Sequence, residues 1–126
     1  KIDLIVRGIC CLIPGRKYSR NIRVTRIVDT FLEHARVWYF GNGGKPKLFL
    51  GSPDWMRRNL YRRIEAVTPI LDPDLKRELS DMLSIQLSDK RKACFVDDHL
   101  RNRWKSARPQ KEKIRSQYTF YEYLKG

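Results

Sequence analysis

Short apolar runs separated by turn-forming residues predict strands along the first half of the chain. Ile2–Val6 is rich in β-branched residues and is typical of a buried strand. A second extended segment begins at Ile22, and Val37–Phe40 has the aromatic and β-branched composition that strands favour. The glycine-rich turn that follows predicts a hairpin with Lys47–Leu50 as its return strand. A further strand is predicted over Ile64–Ile70, whose proline either ends it or places it at a sheet edge.

The second half of the chain carries helical periodicity. Asp72 can cap a helix and Pro73 suits its first position, so a helix is predicted from there to about Ser88. Apolar residues recur along it at helical spacing, which predicts one face packed on the sheet. These residues are Leu75, Leu79, Met82 and Leu83. A C-terminal helix over Ser116–Lys125 is predicted to dock its aromatic side chains on the core.

Two shorter elements complete the predicted order. Asp29–Glu33 is predicted as a short helical turn, and Ala93–Val96 as the last strand. Because strands interleave with helices, we expect an α/β protein with a mixed sheet flanked by helices. The length of 126 residues favours a single domain over residues 1–126.

Charge narrows the class of partner. The chain has 27 Lys and Arg against 14 Asp and Glu, a formal net charge of +13. That excess indicates an anionic partner, which is a nucleic acid, a membrane surface or a polyanionic small molecule. The run from Arg101 to Arg115 is strongly basic and is typical of a solvated face or a flexible segment.

Cysteine usage and absent motifs exclude several classes of protein. The three cysteines are an odd number and two are adjacent, so a secreted disulfide framework is not expected and a reducing cytoplasm fits better. No ligand spacing supports a metal site, and no phosphate-binding glycine loop occurs. The chain begins with Lys1 and lacks a signal peptide, which we expect of an excised fragment.

His34 is the histidine with the most suggestive surroundings. In an extended chain His34 and Arg36 point to the same face, and an imidazole beside a guanidinium suits phosphoryl chemistry. Glu65 lies in an apolar strand and therefore needs a partner, which is a nearby arginine or a catalytic histidine that it orients. His99 follows two aspartates and is expected to be an exposed, ion-paired surface residue.

Several arginines occupy positions that call for a partner. Arg7, Arg23 and Arg36 lie within or beside apolar stretches, so each is expected to be paired or to face a cleft. In Asp54–Arg63, arginines alternate with aromatic residues. That segment is either a basic loop pinned by Trp55 or a phosphate-binding rim.

Three segments carry a resemblance to a known family: IDLIVRGICCLIPG, NIRVTRIVDTFLEHARVWYF and GSPDWMRRNLYRRIEAVTPILDPDLK. They resemble the C-terminal domain of polyphosphate kinases, from residue 1 to about residue 90 and more loosely through the basic tail. The resemblance implies that residues 1–126 are a fragment of that domain, with a phospholipase D-like fold. Only the loop Arg16–Arg20 departs visibly, since it looks slightly shortened.

The wider phospholipase D-like superfamily has the pattern H-x-K, then G-S and an Asn. The matching stretches here are His34-Ala35-Arg36, Gly51-Ser52 and Asn59. Arg36 replaces the lysine, and Asn59 lies further from Ser52 than in the lipases. Lipase chemistry is therefore not implied.

The resemblance implies reversible transfer of the terminal phosphate of ATP to inorganic polyphosphate, through a phosphohistidine in a preceding domain that this chain lacks. It makes His34 a catalytic residue that binds ATP and assists the transfer, Arg7 a ligand of the ATP phosphates, and Glu65 a catalytic-site carboxylate near His34. Further, second-rank phosphate contacts are expected from Arg23, Arg36, Arg58, Asn59 and Arg63.

The same resemblance implies ATP or ADP and polyphosphate as partners rather than nucleic acid. Mg²⁺ is implied as cofactor, with its ligands outside this segment. A homo-oligomeric full-length enzyme in a bacterial-type cytoplasm is implied, with peripheral membrane association as a further option.

Two other function classes fit the residues taken alone. A non-catalytic nucleic-acid or polyanion-binding module is supported by the net charge, by Trp104 and by the C-terminal tyrosines, which can stack on bases. An oligomerisation domain that uses the aromatic C-terminal helix is the third class.

Overall fold

Seven strands in two sheets form the framework of the computed structural model, which describes residues 1–126. In chain order, the strands are β1 (Ile2–Ile5), β2 (Ile22–Ile27), β3 (Val37–Phe40), β4 (Lys47–Gly51), β5 (Val67–Ile70), β6 (Ala93–Val96) and β7 (Asn102–Trp104). The helices are α1 (Arg57–Arg62), α2 (Pro73–Ser88) and α3 (Ser116–Lys125), with short 3-10 turns at Asn42–Gly44 and Pro109–Lys111. The chain divides into two units, residues 1–31 with 82–126 and residues 32–81.

The first unit contains a four-stranded mixed sheet with the order β1-β2-β6-β7. β1 and β2 run parallel, with Leu4 opposite Val24, and the other neighbours run antiparallel. Val24, Ala93 and Val96 form the buried apolar centre of this unit. The α/β class and a mixed sheet are thus confirmed, although the strands are shared between two sheets.

The second unit contains a three-stranded antiparallel sheet with the order β3-β4-β5. Leu48 on the central strand is its buried apolar residue. Pro69 lies on β5, an edge strand, as its missing N–H requires. Gly51 ends β4 against the ring of Trp38, where an added Cβ would come within 2.7 Å of the ring.

Helix α2 has the predicted bounds and the predicted cap. One carboxylate oxygen of Asp72 accepts the backbone N–H groups of Asp74 and Leu75, each at 2.9 Å. Two donors that helix formation leaves unpaired are thereby satisfied. The predicted apolar face is only partly covered, because Leu75 is 52% exposed while Met82 and Leu83 are half-buried.

Asp29–Glu33 forms no helical turn, contrary to the prediction. Asp29 receives the guanidinium of Arg115 at 2.6 and 2.8 Å, and its Oδ1 also accepts the backbone N–H of Thr30. The carboxylate is therefore committed to a distant residue and to its own neighbour, which keeps this stretch out of a helix. These contacts also lower the pKa of Asp29, with the hydrogen bond from Arg115 as the main cause.

Other boundaries also differ from the predictions. α1 lies inside Asp54–Arg63, which was open to interpretation as a loop, and the strand predicted from Ile64 begins only at Val67. Strand β7 follows β6, so Ala93–Val96 is not the last strand.

The basic segment from Arg101 to Arg115 is held by carboxylates. Asp97 accepts the side chains of Arg101 and Arg103 at 3.0 and 2.8 Å. Together with the backbone N–H of Arg101, the leading cause, these bonds hold the pKa of Asp97 well below its usual range. Arg115 closes the segment through its pair with Asp29.

Helix α3 presents more of its aromatic surface than predicted. Its three tyrosines are 41–57% exposed and so are not docked on the core; they are Tyr118, Tyr121 and Tyr123. Its first residue, Ser116, is buried and donates its N–H to the buried Asp89 at 2.7 Å.

None of the helices has both the length and the apolar content that a membrane crossing requires. The three cysteines are unpaired.

Candidate functional site

The chain leading into β3 brings His34 and Arg36 into contact. The Arg36 Nη2 atom lies 3.1 Å from Nε2 of His34, and its Nη1 atom donates to the His34 carbonyl oxygen at 3.0 Å. Gly51 donates its backbone N–H to the Arg36 carbonyl oxygen at 3.1 Å, which ties this stretch to the end of β4. The prediction that the two side chains project together is confirmed.

The contact favours one tautomer of the neutral imidazole. A guanidinium carries donors only, so Nε2 of His34 must accept and its lone pair must face Arg36. The ring proton then sits on Nδ1. His34 is exposed, so an anionic oxygen can reach that proton.

Asp54 also binds the guanidinium of Arg36, which in addition contacts His34. Its Oδ1 atom accepts Nε and Nη2 of Arg36 at 3.1 and 3.0 Å. The relay Asp54–Arg36–His34 therefore uses one guanidinium to orient the imidazole. Sequence reasoning missed Asp54, although it lies directly after the Gly51-Ser52-Pro53 turn, within the segment that had already been singled out.

Glu65 has different partners from those expected. Ser52 donates its hydroxyl to Glu65 Oε2, and the same hydroxyl accepts the backbone N–H of Ala66 at 3.1 Å. Arg63 lies 3.6 Å from the other carboxylate oxygen. The arginine alternative is thus met, whereas Glu65 makes no hydrogen bond to His34 and its Oε1 atom is buried without a hydrogen-bond partner.

Two of the expected phosphate contacts in this unit differ sharply in solvent exposure. Asn59 is only 2% exposed, and its side-chain oxygen is buried without a hydrogen-bond partner. Its role as a phosphate contact stays a prediction. Arg58 on α1 is exposed.

Arg7 and Arg23 lie in the unit formed by residues 1–31 and 82–126. Arg7 follows β1, is exposed, and has no hydrogen-bond or ion-pair partner in residues 1–126. Arg23 instead pairs with Asp3 at 2.7 and 2.8 Å. Arg7 is therefore available to an anion in full, and Arg23 only in part.

His99 is exposed and lies 3.8 Å from a carboxylate oxygen of Asp98, as predicted for a surface residue.

No group of three or more His, Cys, Asp and Glu side chains that could hold a metal ion occurs in residues 1–126. The Mg²⁺ ligands implied by the resemblance stay a prediction for other parts of the protein.

Comparisons with known proteins agree with one another. Residues 1–117 match the family described as "Polyphosphate kinase C-terminal domain 2". A polyphosphate kinase of Escherichia coli K12 is 47% identical over 126 residues, and one of Synechocystis is 56% identical over 94 residues, or 99% and 74% of this chain. The crystal structure of polyphosphate kinase from Porphyromonas gingivalis is 56% identical and superposes over the full chain with a TM-score of 0.94.

The chain spans only part of each of these relatives. It covers 18% of the Escherichia coli protein, 13% of the Synechocystis protein and 19% of the Porphyromonas gingivalis chain. The fold agrees with the phospholipase D-like half that the sequence resemblance implied.

Proposed function

The chain belongs to the polyphosphate kinase family, as its C-terminal domain, and on that premise we propose that it serves reversible transfer of the terminal phosphate of ATP to inorganic polyphosphate. The Asp54–Arg36–His34 relay is the observation that supports this most directly. It presents an oriented imidazole N–H beside a guanidinium, and such a pair suits the charge of a phosphoryl group in transfer.

In the proposed reaction, the phosphorus of the γ-phosphate forms a bond to a histidine nitrogen in a preceding domain. The bond from that phosphorus to the bridging oxygen breaks, and ADP leaves with the electron pair. A terminal oxygen of the polyphosphate chain then attacks the phosphorus, and the phosphorus–nitrogen bond breaks. The first step leaves negative charge on the oxygen of the departing ADP, and the second consumes it on the attacking oxygen of the polyphosphate chain. Catalysis therefore depends on positioning and on charge stabilisation.

His34 is proposed to bind the transferred phosphate through its Nδ1–H and to act as acid–base partner of the phosphohistidine. Arg36 keeps the Nε2 lone pair engaged, so the ring presents one defined donor. Arg7 is proposed as a ligand of the ATP phosphates because its guanidinium is exposed and unpartnered. Glu65 is proposed to set the position of Ser52 and to balance the charge of Arg63.

Replacing His34 in the full-length enzyme tests the proposal. Loss of a positioned acid–base group costs about 10²- to 10⁴-fold in rate, so His34→Ala should reduce ATP-dependent polyphosphate synthesis by that factor. His99→Ala is the matched control, since it removes an exposed histidine that only faces Asp98. Near-normal synthesis by His34→Ala would refute the role.

The isolated chain is proposed to lack kinase activity, because the phosphorylated histidine lies in a preceding domain. An assay of ATP-dependent chain elongation by residues 1–126 alone addresses this point, and clear turnover would contradict it.

A further inference from the structure

A cavity of about 260 Å³ opens beside the C-terminal end of α2, within the unit formed by residues 1–31 and 82–126. Its lining combines three cationic side chains with one aromatic ring. The lining residues are Arg23, Leu87, Ser88, Lys90, Phe95 and Lys105. Apart from Arg23, none of them has a role in the proposed transfer.

Two of the cations lie over the ring of Phe95. The Arg23 guanidinium carbon is 5.3 Å from the ring centroid, and Nζ of Lys105 is 5.1 Å from it. Phe95 lies opposite Thr25 on β2, so Arg23, two residues earlier, projects from the same sheet face. The sheet register thus places Arg23 beside the ring, and the backbone N–H of Lys105, donated to the Ala93 carbonyl oxygen at 3.1 Å, holds Lys105 next to β6.

Donors remain free on each of the three cations. Asp3 takes Nε and Nη2 of Arg23, which leaves its Nη1 without a partner. Lys105 donates to the carbonyl oxygen of Leu87 at 2.8 Å, and its ammonium group has further protons to give. Lys90 is exposed and has no hydrogen-bond or ion-pair partner in residues 1–126.

The cationic side chains around the cavity outnumber the carboxylates that could neutralise them. Beside the three cations, Lys1 pairs with the same Asp3 carboxylate, and Asp89 follows the helix end. The four cations and two carboxylates leave an excess of two positive charges. The helix C-terminus offsets only about half a charge. Burial, with the charge of Arg23 as the next cause, lowers the pKa of Lys105.

We infer that this cavity is a subsite for a linear phosphate chain, bound by Arg23, Lys90 and Lys105. The choice of polyphosphate as the anion rests on the proposed function. The cations come from three separate segments, which suits successive phosphates along a chain. The lining side chains include no carboxamide or carboxylate that could recognise a nucleobase, and the cations already occupy the ring of Phe95.

Protection of lysines from acetylation tests this subsite in the full-length protein. Lys90 and Lys105 should react with an acetylating reagent at least about fivefold more slowly in the presence of long-chain polyphosphate or tripolyphosphate, because each bound phosphate holds the amine as a charged donor. Lys113, an exposed lysine outside the cavity, serves as an internal control whose rate should not change. Mass spectrometry of the digested protein gives the three rates.

The same measurement on the His34→Ala protein separates the two proposals, since protection there depends on binding and not on phosphate transfer. Equal protection of all three lysines, or none, would overturn the subsite. So would protection by ATP alone or by vesicles of anionic phospholipid alone. Lys90→Ala should in addition raise the KM for long-chain polyphosphate about threefold without changing the KM for ATP, whereas Lys113→Ala should change neither.

Discussion

The Asp29–Arg115 and Asp54–Arg36 pairs join the same two functional groups in different units of the chain, and they differ in how completely the carboxylate is used. The Asp29 side chain is 1% exposed, and both of its oxygens accept hydrogen bonds from Arg115. The Asp54 side chain is 40% exposed, and only its Oδ1 atom is engaged. The carboxylate of one pair is therefore closed to solvent and that of the other is open, while the two arginines are similarly exposed, at 25% and 21%.

This difference separates a contact that stabilises the fold from one that can serve a reaction. Arg115 and Asp29 connect the start of α3 to the end of β2, and both oxygens of the buried carboxylate are used in doing so. Arg36 has a second partner, His34, which is exposed. An arginine held from behind by a carboxylate can face an anion without moving, because its orientation is already fixed.

Breaking the closed pair should have the largest effect. Asp29→Ala leaves Arg115 without its carboxylate and should destabilise the docking of α3. Hydrogen exchange of the full-length protein should then show faster exchange in Ser116–Lys125. Asp98→Ala, which removes an exposed carboxylate, is the control. Unchanged protection of α3 in Asp29→Ala would mean that other contacts hold the helix.

Loosening the open pair should affect catalysis and leave stability nearly unchanged. Arg36→Lys keeps the charge but loses the fork that bridges Asp54 and His34, so we expect kcat to fall about tenfold to a hundredfold with a smaller change in KM. Asp54→Asn should give a weaker loss of the same kind, because an amide oxygen can still accept from Arg36. Arg57→Lys, an exposed arginine on α1, is the matched control. Equal losses in Arg57→Lys would remove the special role of Arg36.

Lowering the pH should weaken the stabilising contribution of the Asp29–Arg115 pair. The pKa of Asp29 is lower in the folded protein than the value of about 3.9 for an unfolded chain, so its contribution is complete above that value and is lost as pH falls through the folded pKa. Peptic cleavage within α3 should therefore be faster in Asp29→Asn than in the unchanged protein at pH 4.5, and the two rates should converge toward pH 2. A rate difference that grows toward pH 2 would contradict this sign.

Elements with strong local patterns could be predicted from the sequence. The Asp72 cap with Pro73 defined α2, and the aromatic and β-branched composition of Val37–Phe40 defined β3. In both cases the information lies within a few residues. Strand β7 could not be predicted, because its three residues are all exposed and owe their pairing to β6.

The candidate site residues also divide into those whose contacts follow from local spacing and those whose contacts depend on the fold. The contact between His34 and Arg36 followed from spacing alone, since the two positions are only two residues apart. The hydrogen bond from Ser52 to Glu65 did not, because it joins residues thirteen positions apart and depends on how β4 and β5 align. Asp54 acquires its role only when Arg36, eighteen residues earlier, is folded against it.

The close packing around Gly51 affects how a mutational survey of this domain should be interpreted. It has no side chain, yet a methyl group there would come within 3 Å of Trp38 and of Val67, and the next residue is Ser52, the donor to Glu65. A screen that scores activity alone should therefore rank Gly51 beside His34 and Arg36, although it performs no chemistry. Intolerance at such a position reports the clearance between β4 and a tryptophan ring.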